Sequence, residues 1–305
     1  MTTAPTATTA PGPGADELSL RCLEIFGGNE ATNRRVRAGH LDIWVLAEPY
    51  EAGHGGGDIH FISQCAAGAV ARIAIADVSG HGEAVSGIAS RLRKLVRKNI
   101  SRPDQSRLVR SLNTAFGAEG GSSGHFATGF FASFDVATGS LVWVNAGHPP
   151  PLIRGADGSW RALDTEHGSV ITETTGAPET AGMPPNLPLG IIEPTAYSQA
   201  ALPFRAGETI VLYTDALPEA SDANGRMLGS EGLLRLVEGI DTDDPEMIGK
   251  MLVDRVRAYA SGPIDDDLTV LAITRRAEAG PGMSAAEKLG VVGRMLGVLS
   301  DRVDR

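Results

Sequence analysis

Val70-Ala71-Arg72-Ile73-Ala74-Ile75-Ala76-Asp77-Val78-Ser79-Gly80-His81-Gly82 decides how the rest of this chain is read. Its first seven residues form an apolar, strand-like run that Asp77 closes. The glycines then turn the chain into a helix predicted over residues 83–99. There Val85, Ile88, Ala89, Leu92, Leu95 and Val96 recur at three- and four-residue spacing and make one apolar stripe. Arg91, Arg93, Lys94, Arg97 and Lys98 fall on the opposite face, read as solvated, with partner docking as the minor reading. A carboxylate thus stands where a buried strand meets a sharp turn.

Three further aspartates occupy comparable places. Asp58 follows Gly56-Gly57, Asp215 ends the apolar run 209–214, and Asp266 stands just before the run 268–273. Carboxylates at the ends of buried strands can meet in space although far apart in sequence. Converging anions repel unless a hard cation lies between them, and an all-oxygen site suits Mg or Mn. These residues point to a metal-dependent enzyme. Asp265 and Asp267, beside Asp266, read as local turn charges, and Asp222 as a turn residue.

Further out, residues 16–26 read as a short helix capped by Asp16, with Leu20, Leu23 and Phe26 on one side. Residues 41–47 read as the first core strand. The glycine-rich turn 54–57 then delivers Asp58 into a second strand, 59–65. A helix is expected over 105–116, and a hairpin from strands 126–135 and 140–145. Residues 155–188 show no clear period and read as a long irregular insertion. Strand 208–214, helix 245–260 and strand 268–275 complete the set. Paired strands separated from helical pairs fit a layered α+β sandwich better than alternating βαβ units.

The ordered motifs resemble the PPM (PP2C-type) serine/threonine phosphatases of the bacterial SpoIIE/RsbU branch. Besides the four aspartates, the resemblance takes in residues 128–135 (TGFFASFD), 145–152 (NAGHPPPL) and 187–190 (LPLG), and covers roughly residues 38–276. It implies a four-layer α/β/β/α sandwich, with two antiparallel sheets packed together and flanked by helices. It also implies hydrolysis of phosphoserine or phosphothreonine on a regulatory partner such as an anti-sigma-factor antagonist, through water activated by two divalent cations, Mn or Mg. Under the resemblance Asp77 bridges the cations, Val78 offers its backbone oxygen, and Asp58, Asp215 and Asp266 are the remaining catalytic and metal-binding carboxylates. Ala216 departs from the glycine that usually follows the third aspartate, an unfavourable choice if that turn needs positive φ. The alternative is a catalytically weak or inactive phosphatase fold serving as a binding or regulatory module.

Composition narrows the field. A net charge of −10 argues against a nucleic-acid binder. No stretch approaches the ~18 unbroken apolar residues of a membrane helix. The two cysteines, Cys22 and Cys65, lack zinc or redox spacing and read as reduced thiols of a cytoplasmic protein. His148 reads as a buried imidazole in a rigid turn, and His81 as a candidate for proton transfer. Neither Ser79 nor Ser86 has the setting of a serine nucleophile, and Gly56-Gly57-Asp58 alone does not make a cyclase.

The expected domain plan is a disordered leader over 1–15, a helical extension over 16–37, the catalytic domain over 38–276 and a helical tail over 277–305. In the tail, Leu289, Val292, Leu296, Leu299 and Val303 recur at heptad spacing, interrupted by glycines. Such a helix must pack on its own domain, on a second copy as a homodimer, or on a regulator. With no room for a sensor segment ahead of the domain, control is expected from another chain or from the termini.

Overall fold

The strands and helices follow from where the chain can bury both faces of its apolar runs. The computed structural model describes residues 17–22, 24–51, 55–65, 68–80, 83–100, 102, 104–120, 124–164, 169–172 and 184–276. In chain order the strands are β1 (Glu17–Ser19), β2 (Ile25–Gly28), β3 (Thr32–Ala38), β4 (Leu41–Glu48), β5 (Asp58–Cys65), β6 (Val70–Val78), β7 (Ala127–Asp135) and β8 (Ser140–Ala146). They continue with β9 (Leu152–Arg154), β10 (Trp160–Ala162), β11 (Ser169–Thr172), β12 (Gln199–Pro203), β13 (Thr209–Tyr213) and β14 (Leu268–Arg275). The helices are α1 (Glu83–Asn99), α2 (Gln105–Gly120), α3 (Ala216–Glu219), α4 (Gly229–Val237) and α5 (Pro245–Tyr259).

One sheet runs β1-β3-β4-β14-β13-β9-β10 and the other β11-β12-β8-β7-β6-β5-β2. Neighbouring strands are antiparallel except β1 and β3, which are parallel. The alternation of side chains along a strand explains the layering. On β6, Ile73 and Ile75 point between the sheets, where they join Ile43, Val45, Phe130, Trp143, Leu212 and Leu271. Ala74, Ala76 and Val78 face the other way, under Val85, Ala89, Leu92 and Val96 of α1 and Leu108, Leu112 and Phe116 of α2. On the far side, Trp44, Val270 and Ala272 lie under Ile248, Leu252 and Val256 of α5. Three apolar layers between four layers of backbone give the α+β, four-layer α/β/β/α sandwich that the sequence led us to expect. A strand covered on both faces has little room for polar residues, which is why β6 reads as one apolar run.

α5 shows how locally the helices are specified. Asp244 caps it, accepting from the Glu246 and Met247 amides, and Pro245 occupies the first turn, where its missing amide costs nothing. Arg35 of β3 pairs with Asp244 at 2.6 Å and also with Glu246, tying the helix start to the sheet.

The amino-terminal part corrects the expectation. Residues 17–19 and 25–28 form β1 and β2 where a helix was predicted over 16–26, so the two sheets take in strands that precede residue 38. Leu20 and Phe26 suit a helical spacing. Long-range pairing wins: β1 lies along β3, β2 along β5, and Leu20 enters the core between the sheets. Likewise β10 and β11 give regular structure to part of the segment 155–188. The expected leader (1–15), tail (277–305), Leu23 and His81 lie outside the described residues. Among the described residues no helix is long and apolar enough to cross a membrane, and Cys22 and Cys65 are free thiols.

Candidate metal centre

Each sheet brings two of the four aspartates to one end of the sandwich. Asp58 opens β5 and Asp77 nears the end of β6; because the strands are antiparallel, the two are register partners. In the other sheet Asp215 follows β13 and Asp266 precedes β14, again on adjacent antiparallel strands. The Thr214 hydroxyl stitches the sheets together by donating to Asp58 Oδ2 at 2.9 Å. Thr214 Oγ1 in turn accepts from the Thr269 amide at 3.0 Å. Asp58 is only 5% exposed, and its Oδ1 has no hydrogen-bond partner among the described residues. A buried carboxylate oxygen left unpaired is costly.

Burial, then the neighbouring Asp77, pushes the Asp58 carboxyl well above the usual range, partly opposed by bonds from Thr269 and Thr214. Asp77 is also raised, by burial first and then by Asp215, Asp266, Asp267 and Glu219. Burial and Glu219 raise Asp215. The structure therefore places Asp58, Asp77, Asp215 and Asp266 in one electrostatic neighbourhood, overloaded with negative charge. Desolvation and like-charge repulsion are what a divalent cation would reverse. Among the described residues, however, no three Asp, Glu, His or Cys side chains close around one point. The carboxylates share a field without forming a finished coordination shell, so any cation here would take further oxygens from backbone and water, as Mg does. The donors are all oxygen, and the orphaned Asp58 Oδ1 adds a lone pair with no other use. The residues fit a hard divalent ion.

The glycine-rich turn brings the backbone into the site. The Gly57 carbonyl accepts from the Val78 amide at 3.3 Å. A Cβ on Gly57 would lie 3.0 Å from the Val78 carbonyl oxygen and 2.9 Å from Val85 Cγ1. Only glycine lets these segments approach so closely.

Asp267 is the residue the sequence reading misjudged. Asp265 is exposed, as a turn charge should be. Asp267 is only 3% exposed, and its carboxylate accepts from the Gly57 amide at 2.6 Å and the Tyr50 amide at 2.7 Å. Three consecutive aspartates look interchangeable. The available signal was that Asp267 directly abuts the first buried residue of β14.

Other candidates resolve into supports. His148 is buried and pushed down to about 3 by burial, so it stays neutral. Its Nδ1 lies 3.0 Å from Thr128 Oγ1, and Thr128 is the β7 register partner of Asp77. The His148 amide donates to Asn145 Oδ1, and Asn145 Nδ2 donates back to the His148 carbonyl, which fixes the turn. Ser79 Oγ accepts from the Phe126 amide. Asp222 accepts from the Asn224 and Arg226 amides, as a turn residue does. Ala216 is the first residue of α3 and is buried. Among the described non-glycine residues only Asn186 has positive φ, so the strain considered for Ala216 does not arise. A cleft of about 420 Å³, lined by Glu48, Pro49, Tyr50, Arg257, Ile264 and others, opens beside Asp266.

Comparison with known proteins agrees with this fold. Residues 68–276 match the family described as Stage II sporulation protein E (SpoIIE), which is more than half of the chain. Phosphoserine phosphatase RsbP of Bacillus subtilis is 27% identical over 156 residues, covering 49% of this chain and 34% of the relative. The chain thus spans about a third of that protein's length. Among solved structures, the RsbU and RsbW domains of Rv1364c from Mycobacterium tuberculosis align with a TM-score of 0.63 and 26% identity, covering 85% of this chain and 70% of that one. The catalytic domain of the serine/threonine protein phosphatase PstP, solved with two manganese ions, aligns with a TM-score of 0.51 and 17% identity over 77% of this chain and 97% of that one, a likeness of fold.

Proposed function

This chain belongs to the SpoIIE family of PPM-type phosphatase domains, and on that premise we propose that it is a divalent-metal-dependent phosphatase acting on phosphoserine or phosphothreonine of a regulatory protein. The observation that carries the proposal is the electrostatic coupling of four strand-end aspartates at one end of the sandwich, with one buried carboxylate oxygen unpartnered among the described residues. Asp77 would bridge a pair of Mn or Mg ions, with the Val78 carbonyl, Asp58, Asp215 and Asp266 as further ligands, some through water. The chemistry supplied by such a pair is a water acidified enough to attack phosphorus, and positive charge on the phosphoryl oxygens.

The chain's own residues prepare that chemistry. Thr214 fixes the rotamer of Asp58 and leaves Oδ1 for a ligand. His148 and Thr128 brace the strand beside Asp77. The raised carboxyls of Asp58 and Asp77 must lose their protons before they can accept a cation, so cation uptake releases protons and weakens in acid. The cleft beside Asp266 offers space for the polypeptide around a phosphorylated side chain.

The substrate in this reading is a small switch protein of the anti-sigma-factor antagonist type. Support comes from the family and from the relative named a phosphoserine phosphatase. Such a switch operates in the cytoplasm, which suits two free cysteines. The rival reading, an inactive fold used as a binding module, rested on Ala216. The helical conformation there removes that support. Hydrolysis of p-nitrophenyl phosphate with Mn or Mg, against an EDTA control, tests the choice. Metal-dependent turnover is expected; none with either ion would favour the binding module.

A further inference from the structure

We infer that Asp267 is a positioning residue for this metal centre, holding the Gly56-Gly57 turn, and through it Asp58 and Val78, in register with Asp266. The inference rests on the metal-site reading above. Both carboxylate oxygens of Asp267 are already used, Oδ1 by the Tyr50 amide at 2.7 Å and Oδ2 by the Gly57 amide at 2.6 Å. Short bonds from backbone amides to an ionised carboxylate are the strong, directional kind. The main chain of Asp267 engages the site as well. Its amide donates to Asp266 Oδ1 at 2.8 Å, which sets that side chain's rotamer, and its carbonyl lies 3.3 Å from the Thr214 hydroxyl.

One buried residue therefore touches three places at once: the turn that delivers Asp58, the residue preceding Asp215, and Asp266 itself. Gly57 passes the constraint on, because its carbonyl takes the Val78 amide. The turn is built around this carboxylate. A Cβ on Gly56 would fall 2.5 Å from Asp267 Oδ1. Groups that orient metal ligands typically change metal affinity by about 10–100-fold when altered.

The test is calorimetric titration of the full chain with MnCl2, alongside p-nitrophenyl phosphate hydrolysis at rising Mn. Asp267→Asn keeps the shape but has one acceptor oxygen, so one of the two amides loses its partner. Gly56→Ala keeps the charge and displaces the carboxylate with a methyl group. In both variants the Mn dissociation constant should rise on the order of tenfold, and excess Mn should recover most of the turnover. Gly56→Ala decides the question if Asp267→Asn does not fold. If wild type binds Mn and folded variants bind it equally well, showing only a lower melting temperature, Asp267 is a structural anchor and the inference is wrong. If wild type binds no Mn, the metal-site reading falls and this inference falls with it.

Discussion

Replacing Asp77 by Asn removes a carboxyl that burial and its acidic neighbours keep protonated in the metal-free fold, and the consequence can be worked through. Burial and the fields of Asp215, Asp266, Asp267 and Glu219 push the Asp77 carboxyl from 3.8 to about 8. Between those values the unfolded chain is ionised at this position while the folded protein keeps its proton. The folded state then binds more protons, so stability is fully present below pH ~4 and is lost as pH rises towards ~8. One fully shifted group gives a slope of about 1.4 kcal/mol per pH unit, hence at most about 3 kcal/mol between pH ~5 and ~7. Asp58, which Asp77 also raises, shares this titration, so the slope belongs to the pair. Urea unfolding in EDTA at several pH values measures it. Wild type should lose stability as pH rises, and Asp77→Asn should lose distinctly less and be the more stable protein at neutral pH. Adding Mn should stabilise wild type by mass action, while the Asn variant should have no phosphatase activity. Parallel pH slopes for the two proteins in EDTA would refute the reasoning.

Thr214→Val removes the donor to Asp58 Oδ2 and the acceptor of the Thr269 amide, both in buried surroundings. It should cost about 1–3 kcal/mol in urea unfolding and raise the Mn concentration needed for half-maximal activity. Ala216→Gly should cost up to about 1 kcal/mol and give no gain in turnover, because Ala216 starts a helical turn; a more active glycine variant would reopen the question of that turn. Gly249→Ala places a Cβ 2.3 Å from two ring carbons of Trp44, and should lower the melting temperature by an amount equivalent to about 1–3 kcal/mol. An unchanged melting temperature would mean that the α5–Trp44 contact yields more easily than its geometry implies.

What the sequence revealed was what local pattern determines. The apolar spacing of α1 predicted residues 83–99, the span the helix occupies, because one stripe had to cover β5 and β6. That Asp58, Asp77, Asp215 and Asp266 stand at strand ends was legible, because each adjoined an apolar run. β1 and β2 were not, since Leu20 and Phe26 fit a helix locally and only pairing with β3 and β5 makes strands of residues 17–19 and 25–28. α4 was missed as well: nine residues with an apolar side of Leu233 and Val237 give a short signal, and their partners lie on distant elements. Asp267 stayed hidden for a related reason. Its role depends on amides more than two hundred residues away, and no spacing in the chain announces them.

The proposed function requires Asp58, Asp77, Asp215 and Asp266 to surround divalent cations. An anomalous difference map at the manganese edge, from crystals grown with MnCl2, tests that most directly. The account predicts two peaks about 4 Å apart, with Asp77 between them, the Val78 carbonyl in reach, and Asp58, Asp215 and Asp266 around them. Manganese bound elsewhere, or no peak beside Asp77 in protein that hydrolyses phosphate esters, would contradict it.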